Sequence, residues 1–159
     1  TVSLYKKIKL KILDTYVRKI RENNVNKTFE TSVLGVKKIL NALKNNEVIA
    51  IASDQVPARG HGEYVDFFGK KSYTTTLVPR LACKTKKPVV FCCLNSLSNS
   101  NLLAINIESS DKNLYDNSKC LLSMNQSIEK LINKNISDYS WEYKRFRRPI
   151  KGETDPYIN

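Results

Sequence analysis

Residues 4–21 interleave apolar and basic side chains at helical spacing. Ile8, Ile12, Leu13, Tyr16, Val17 and Ile20 recur three or four apart, with Lys6, Lys7, Lys9, Lys11, Arg18 and Lys19 among them. That pattern predicts an amphipathic helix, which Asn23, Asn24 and Asn26 then break. A second helix is expected over 32–44, capped by Thr31 or Ser32, with Val36, Ile39, Leu40 and Leu43 as its stripe and Asn45-Asn46 as its stop. The apolar run at 48–52 reads as a short buried strand. Residues 54–71 read as a polar loop.

Further along, 75–85 reads as a helix with Pro79 shifting its start. A buried strand is expected at 89–94 and a further strand at 102–107, joined by a turn at 96–101. A helix over 118–135 carries Leu121, Leu122, Ile128, Leu131 and Ile132. Strands alternating with helices point to a layered α/β fold, a mixed sheet flanked by helices.

Charge changes the picture. Lys plus Arg number 27 against 15 Asp plus Glu, a net of +12. A field of that sign attracts polyanions: nucleic acid, anionic headgroups, phosphorylated sugars or an acidic carrier protein. The cysteines, Cys83, Cys92, Cys93 and Cys120, lack metal-ligand spacing. Cys92 and Cys93 lie in an apolar run and read as reduced, buried, structural residues. No run is long enough to span a bilayer. Because the chain opens at Thr1 in a hydrophobic-basic pattern, the true N-terminus is expected upstream.

Four stretches, taken in order, carry a resemblance. They are Asn45-Asn46-Glu47-Val48-Ile49-Ala50-Ile51-Ala52-Ser53-Asp54-Gln55; Arg59-Gly60 followed by Phe67-Phe68-Gly69; Thr74-Thr75-Thr76 leading to Lys87-Pro88-Val89-Val90; and Met124-Asn125 followed by Trp141-Glu142-Tyr143-Lys144-Arg145-Phe146-Arg147. They are similar to the strand-end "D-Q", the "R-G … F-F-G" loop and the terminal "W-x-[HY]-x-R-F-[KR]" signature of the lipid A biosynthesis acyltransferases. The resemblance implies a glycerolipid-acyltransferase-like α/β fold, with 1–159 as the C-terminal part of one acyltransferase domain. The family's "H-x-x-x-x-[DE]" box and its membrane anchor are expected upstream. It implies acyl carrier protein as thioester donor, a lipid A precursor as acceptor, anionic lipids of the bacterial inner membrane as surroundings, and the cytoplasmic face as location. No cofactor or metal is implied.

Acyl transfer to a hydroxyl needs a positioned histidine to take its proton, a carboxylate to orient that histidine, and cations for the oxyanion or substrate phosphates. One literal H-x-x-x-x-D is present, from His61 to Asp66. It follows Asp54, whereas the family's box precedes that position, so it reads as a decoy on an exposed loop. Asp54, at the end of a buried strand, is the candidate supporting acid; the bland alternative is a turn aspartate. Arg59, Arg21 and Arg145 are candidates for substrate contact, since a guanidinium grips phosphate bidentately. Lys144, Arg145, Arg147 and Arg148 with Trp141, Tyr143 and Phe146 form a basic-aromatic tail, read as rings inward and charges toward the membrane interface. Two other readings are a basic nucleic-acid module and a catalytically inactive membrane-associated remnant. Against the module, no RRM, KH or zinc-finger signature occurs and the cations are spread along the chain; no nucleic-acid partner is expected.

Overall fold

The first strand is one that periodicity hides. In a computed structural model describing residues 1–97 and 101–158, β1 (Val2–Tyr5) is the central strand of a parallel sheet ordered β2-β1-β3. It is flanked by β2 (Lys27–Glu30), in register Val2↔Lys27, and β3 (Ile49–Ala50), in register Val2↔Ile49. The predicted helix over 4–21 therefore shortens to α1 (Lys11–Arg21). Residues 4 and 5 belong to β1, because pairing with two distant segments overrides the helical spacing. The Asn-rich break leads directly into β2, which the sequence reading leaves as irregular chain.

Helix α2 (Val33–Lys44) forms as expected, and Ser32 Oγ accepts from Gly35 N–H at 3.1 Å as its N-cap. A Cβ at Gly35 would stand 2.0 Å from the Glu30 carbonyl, so only glycine lets α2 start this close to β2. Ile39 and Ala42 bury against the sheet with Val2 and Tyr5. These elements make up a first compact unit, Thr1–Ala52; a second begins at Ser53.

In the second unit the expected polar loop is largely a hairpin, β4 (Gly62–Phe67) with β5 (Lys70–Thr75). Phe68 and Gly69 have φ of 49° and 71°, the paired positive values of a type I′ turn that matches strand twist. The "F-F-G" motif is thus a strand end plus its turn. Helix α3 (Leu77–Thr85) holds Pro79 in its first turn, where a missing N–H is tolerated. Strands β6 (Val90–Ser96) and β7 (Leu103–Ser109) pair antiparallel; the expected turn at 96–101 falls partly outside the described residues. Helix α4 (Cys120–Ile132) covers one face of this hairpin and β4. Phe67, Ala82, Phe91, Leu114, Met124, Ile128, Leu131 and Ile132 form the core.

The α/β character holds, with four α-helices among the described residues, but the single mixed sheet does not. The strands divide into one parallel sheet and two antiparallel hairpins. Nor is β6 buried on both faces, and β7 alternates in the same way. Val90, Leu94, Leu103, Ile105 and Ile107 are exposed, and so is Cys92, against the expectation of a buried residue. In a pleated strand alternate residues must face apart, and only the face of Phe91, Cys93 and Asn95 meets α4. All four cysteines are free thiols. No helix among the described residues is long and apolar enough to cross a membrane.

Candidate functional site

The chain leaves β3 at Ala50, and Asp54 stands four residues on, in a turn rather than at the strand end itself. Its side chain is half-buried, and no described side chain hydrogen-bonds to it. Two tyrosine hydroxyls brace the loop that carries it. Tyr143 Oη accepts from Val56 N–H at 2.7 Å. Tyr73 Oη accepts from Gly60 N–H at 2.9 Å and Gly62 N–H at 3.1 Å. Asp54 lies just before the first brace, and the exposed Arg59 lies between the two. Gly62 admits no side chain, since a Cβ there would meet the Thr74 carbonyl at 2.6 Å. The loop is therefore held by fixed acceptors on the hairpin and the tail.

Arg145 corrects the expectation of outward charges. It is 3% exposed. Nη1 donates to the Tyr73 carbonyl and Nη2 to Thr74 Oγ1, both at 2.9 Å, and the guanidinium lies over the Phe67 ring at 5.1 Å. A buried cation is costly unless its donors are satisfied and a counter-charge is near. Burial lowers the Arg145 pKa, and among the groups opposing that shift are Tyr139 and the Asp54 carboxylate. Tyr139 is pushed up to about 12, by burial first and by Asp54 next. Asp54 thus lies near enough to influence the buried guanidinium, with which it makes no ion pair.

The rest of the tail also turns toward aromatic faces. Arg147 lies over Tyr143 at 5.0 Å and Arg148 over Tyr73 at 5.5 Å. Of the rings, Phe146 packs on the core, whereas Trp141 is 52% exposed, its Nε1 donating to the Ile136 carbonyl. The terminal signature is thus a clasp, with Tyr143 and Arg145 fastening the loop and the β4–β5 hairpin. Sequence reading names Arg145 for substrate contact, counts Tyr143 only as a ring of the basic-aromatic tail and Thr74 only as part of a motif, and gives no role to Tyr73. A tyrosine hydroxyl's partner lies far away in sequence, so no local signal marks it.

His61 and Asp66 are kept apart. His61 immediately precedes β4 and Asp66 is inside it, so five extended residues put their Cα atoms about 16 Å apart and on opposite faces. Asp66 pairs instead with Lys71 at 3.0 Å, and His61 is exposed. Arg21 is exposed at the C-terminus of α1 in the first unit, while Asp54, Arg59 and Arg145 belong to the second. Among the described residues no group of three or more His, Cys, Asp or Glu is placed to hold a metal ion.

The braced loop thus carries an acid and an arginine for which no ion pair is present among the described residues. Residues 1–148 match the model of a family described as bacterial lipid A biosynthesis acyltransferase. The match spans most of the chain, which belongs to that family. Comparison with curated proteins finds no match.

Proposed function

We propose that the protein moves a fatty acyl chain from the thioester of acyl carrier protein to a hydroxyl of a lipid A precursor, at the cytoplasmic face of the bacterial inner membrane. Residues 1–159 act as the C-terminal part of the acyltransferase domain. The observation that carries this reading is that the chain belongs to a lipid A acyltransferase family, while its loop from Asp54 to Arg59 is braced by Tyr143 and Tyr73 with no ion pair to either charged residue among the described residues.

In the reaction the acceptor hydroxyl attacks the thioester carbonyl and gives its proton to a base. The carbonyl oxygen gains charge, the C–S bond breaks, and the leaving sulfur is protonated. The base is a histidine in contact with a carboxylate. His61 is the only histidine of the chain and stands apart from Asp66, so this role falls to a group outside residues 1–159. Asp54 contributes a supporting carboxylate, and Arg59 holds a substrate phosphate. Arg145 positions the hairpin that braces the loop.

Two measurements test the proposal. The 159-residue chain alone is expected to form no labelled lipid product from acyl-loaded carrier protein and a lipid A precursor; product formation would overturn the placing of the base outside these residues, and His61→Ala would then show whether that histidine acts. In the parent enzyme, Asp54→Ala is expected to lower kcat by about tenfold or more with little change in Tm. Unchanged turnover with a clear fall in Tm would make Asp54 a purely structural turn residue.

A further inference from the structure

Helix α1 packs with its polar side inward. Its only buried residue is Asp14, whose carboxylate accepts from Ile8 N–H at 2.9 Å and from Tyr5 Oη at 3.4 Å. Arg18 also turns to the sheet side, its guanidinium 6.0 Å from the Tyr5 ring and 3.3 Å from Glu22. The residues that would normally bury face solvent instead. Ile12 is 81% exposed, Tyr16 61% and Ile20 64%. Spaced by four, they form one row along the helix. Leu13 lies beside the row at 44% and Leu10 at its start at 62%.

The charge around this row has one sign. At about 100° per residue, Lys19 falls at one margin of the apolar arc and Arg21 beyond Val17 at the other. Lys11 falls on the other side of the helix, near Arg18, and neither Lys19 nor Arg21 has an ion-pair partner among the described residues. Asp14, the one acid of the helix, is consumed by its two internal hydrogen bonds. An apolar ridge running the length of a helix, with cations alone beside it, matches a plane of anionic headgroups over an acyl layer.

We propose that α1 is a membrane-docking helix that lies flat on an anionic lipid bilayer, with Ile12, Tyr16 and Ile20 entering the interface and Lys19 and Arg21 meeting lipid phosphates. Acyl transfer at a membrane gives this contact its purpose, but the contact is measured without substrate, so either reading can fail alone.

The test is co-sedimentation of the full chain with vesicles of phosphatidylethanolamine, with and without phosphatidylglycerol, at low and high salt. Binding is expected only with phosphatidylglycerol present and should weaken, without vanishing, as salt rises. Ile12→Ser with Ile20→Ser should lower the partition coefficient about tenfold or more, since two large aliphatic groups no longer enter the interface. Lys19→Gln with Arg21→Gln should weaken binding and flatten its salt dependence. All four positions are exposed, so circular dichroism should report an unchanged fold. Binding by the serine variant equal to that of the parent chain would overturn the proposal, as would no binding to phosphatidylglycerol vesicles at low salt.

Discussion

Thr74 Oγ1 accepts hydrogen bonds from two buried donors, Arg145 Nη2 at 2.9 Å and Asn125 Nδ2 at 3.2 Å, while its own proton goes to the Ser72 carbonyl. One hydroxyl thereby joins the tail, α4 and the β4–β5 hairpin. Asn125 extends the junction by donating to the Asp66 carbonyl at 2.8 Å. Thr74→Val keeps the shape and removes the acceptor, so both donors lose a partner inside the protein. The expected cost is about 1–3 kcal/mol per orphaned donor, read as a lower midpoint in urea. Thr74→Ser, which keeps the hydroxyl, should recover most of it. A valine variant as stable as the parent would mean that Thr74 does not hold this junction.

At the scale of elements, β7 is tied to α4 by charge. Glu108 accepts from Lys130 at 2.8 Å and from Lys134, and these bonds hold its carboxyl at about 2 against an ordinary 4.5. A carboxyl with a depressed folded pKa adds stability above its unfolded value and loses it as pH falls through the folded one. Stability should therefore decline between about pH 4.5 and pH 2 through this group. Lys130→Ala with Lys134→Ala should flatten that part of the acid profile, measured as Tm against pH; an unaltered slope would exclude the pair as its cause. At the end of β6 the tie is to Asp138, which accepts from Ser96 N–H at 2.5 Å and Ser96 Oγ at 2.8 Å. Both faces of the β4–β5 turn have a reason of this kind. Phe68 holds its positive φ with its N–H bonded to Glu129 Oε1 at 2.8 Å and its ring against Phe67 and Trp141.

At the scale of the whole molecule the net charge of +12 acts beyond any single contact. On the proposed reading both partners are anionic: the phosphorylated lipid acceptor and the acidic carrier protein. Long-range attraction raises encounter rates and is screened beyond about 8–10 Å at physiological ionic strength. For the parent enzyme, kcat/KM toward acyl-loaded carrier protein should therefore fall with added salt more steeply than kcat does. A kcat/KM indifferent to salt would contradict steering by this charge.

The sequence by itself determined the elements whose signals are local. Helix α2 follows from a 3.6-residue stripe and a serine cap, α4 from its apolar spacing, and α3 from a proline confined to the first turn. The order of the "D-Q", "R-G … F-F-G" and "W-x-Y-x-R-F-R" pieces determined the family. Tertiary structure decided whatever depends on distant partners. Strands β1 and β2 exist because Val2 pairs with both Lys27 and Ile49, and four residues are too short a window to show alternation. The burial of Arg145 depends on Thr74 and Phe67, and an arginine's letter carries no record of which ring lies under it. The helical spacing of α1 was legible, but not which side would meet the sheet. Amphipathicity fixes a helix's two faces only relative to each other, and here the hydrogen bonds of Asp14, rather than the apolar row, choose the inner one.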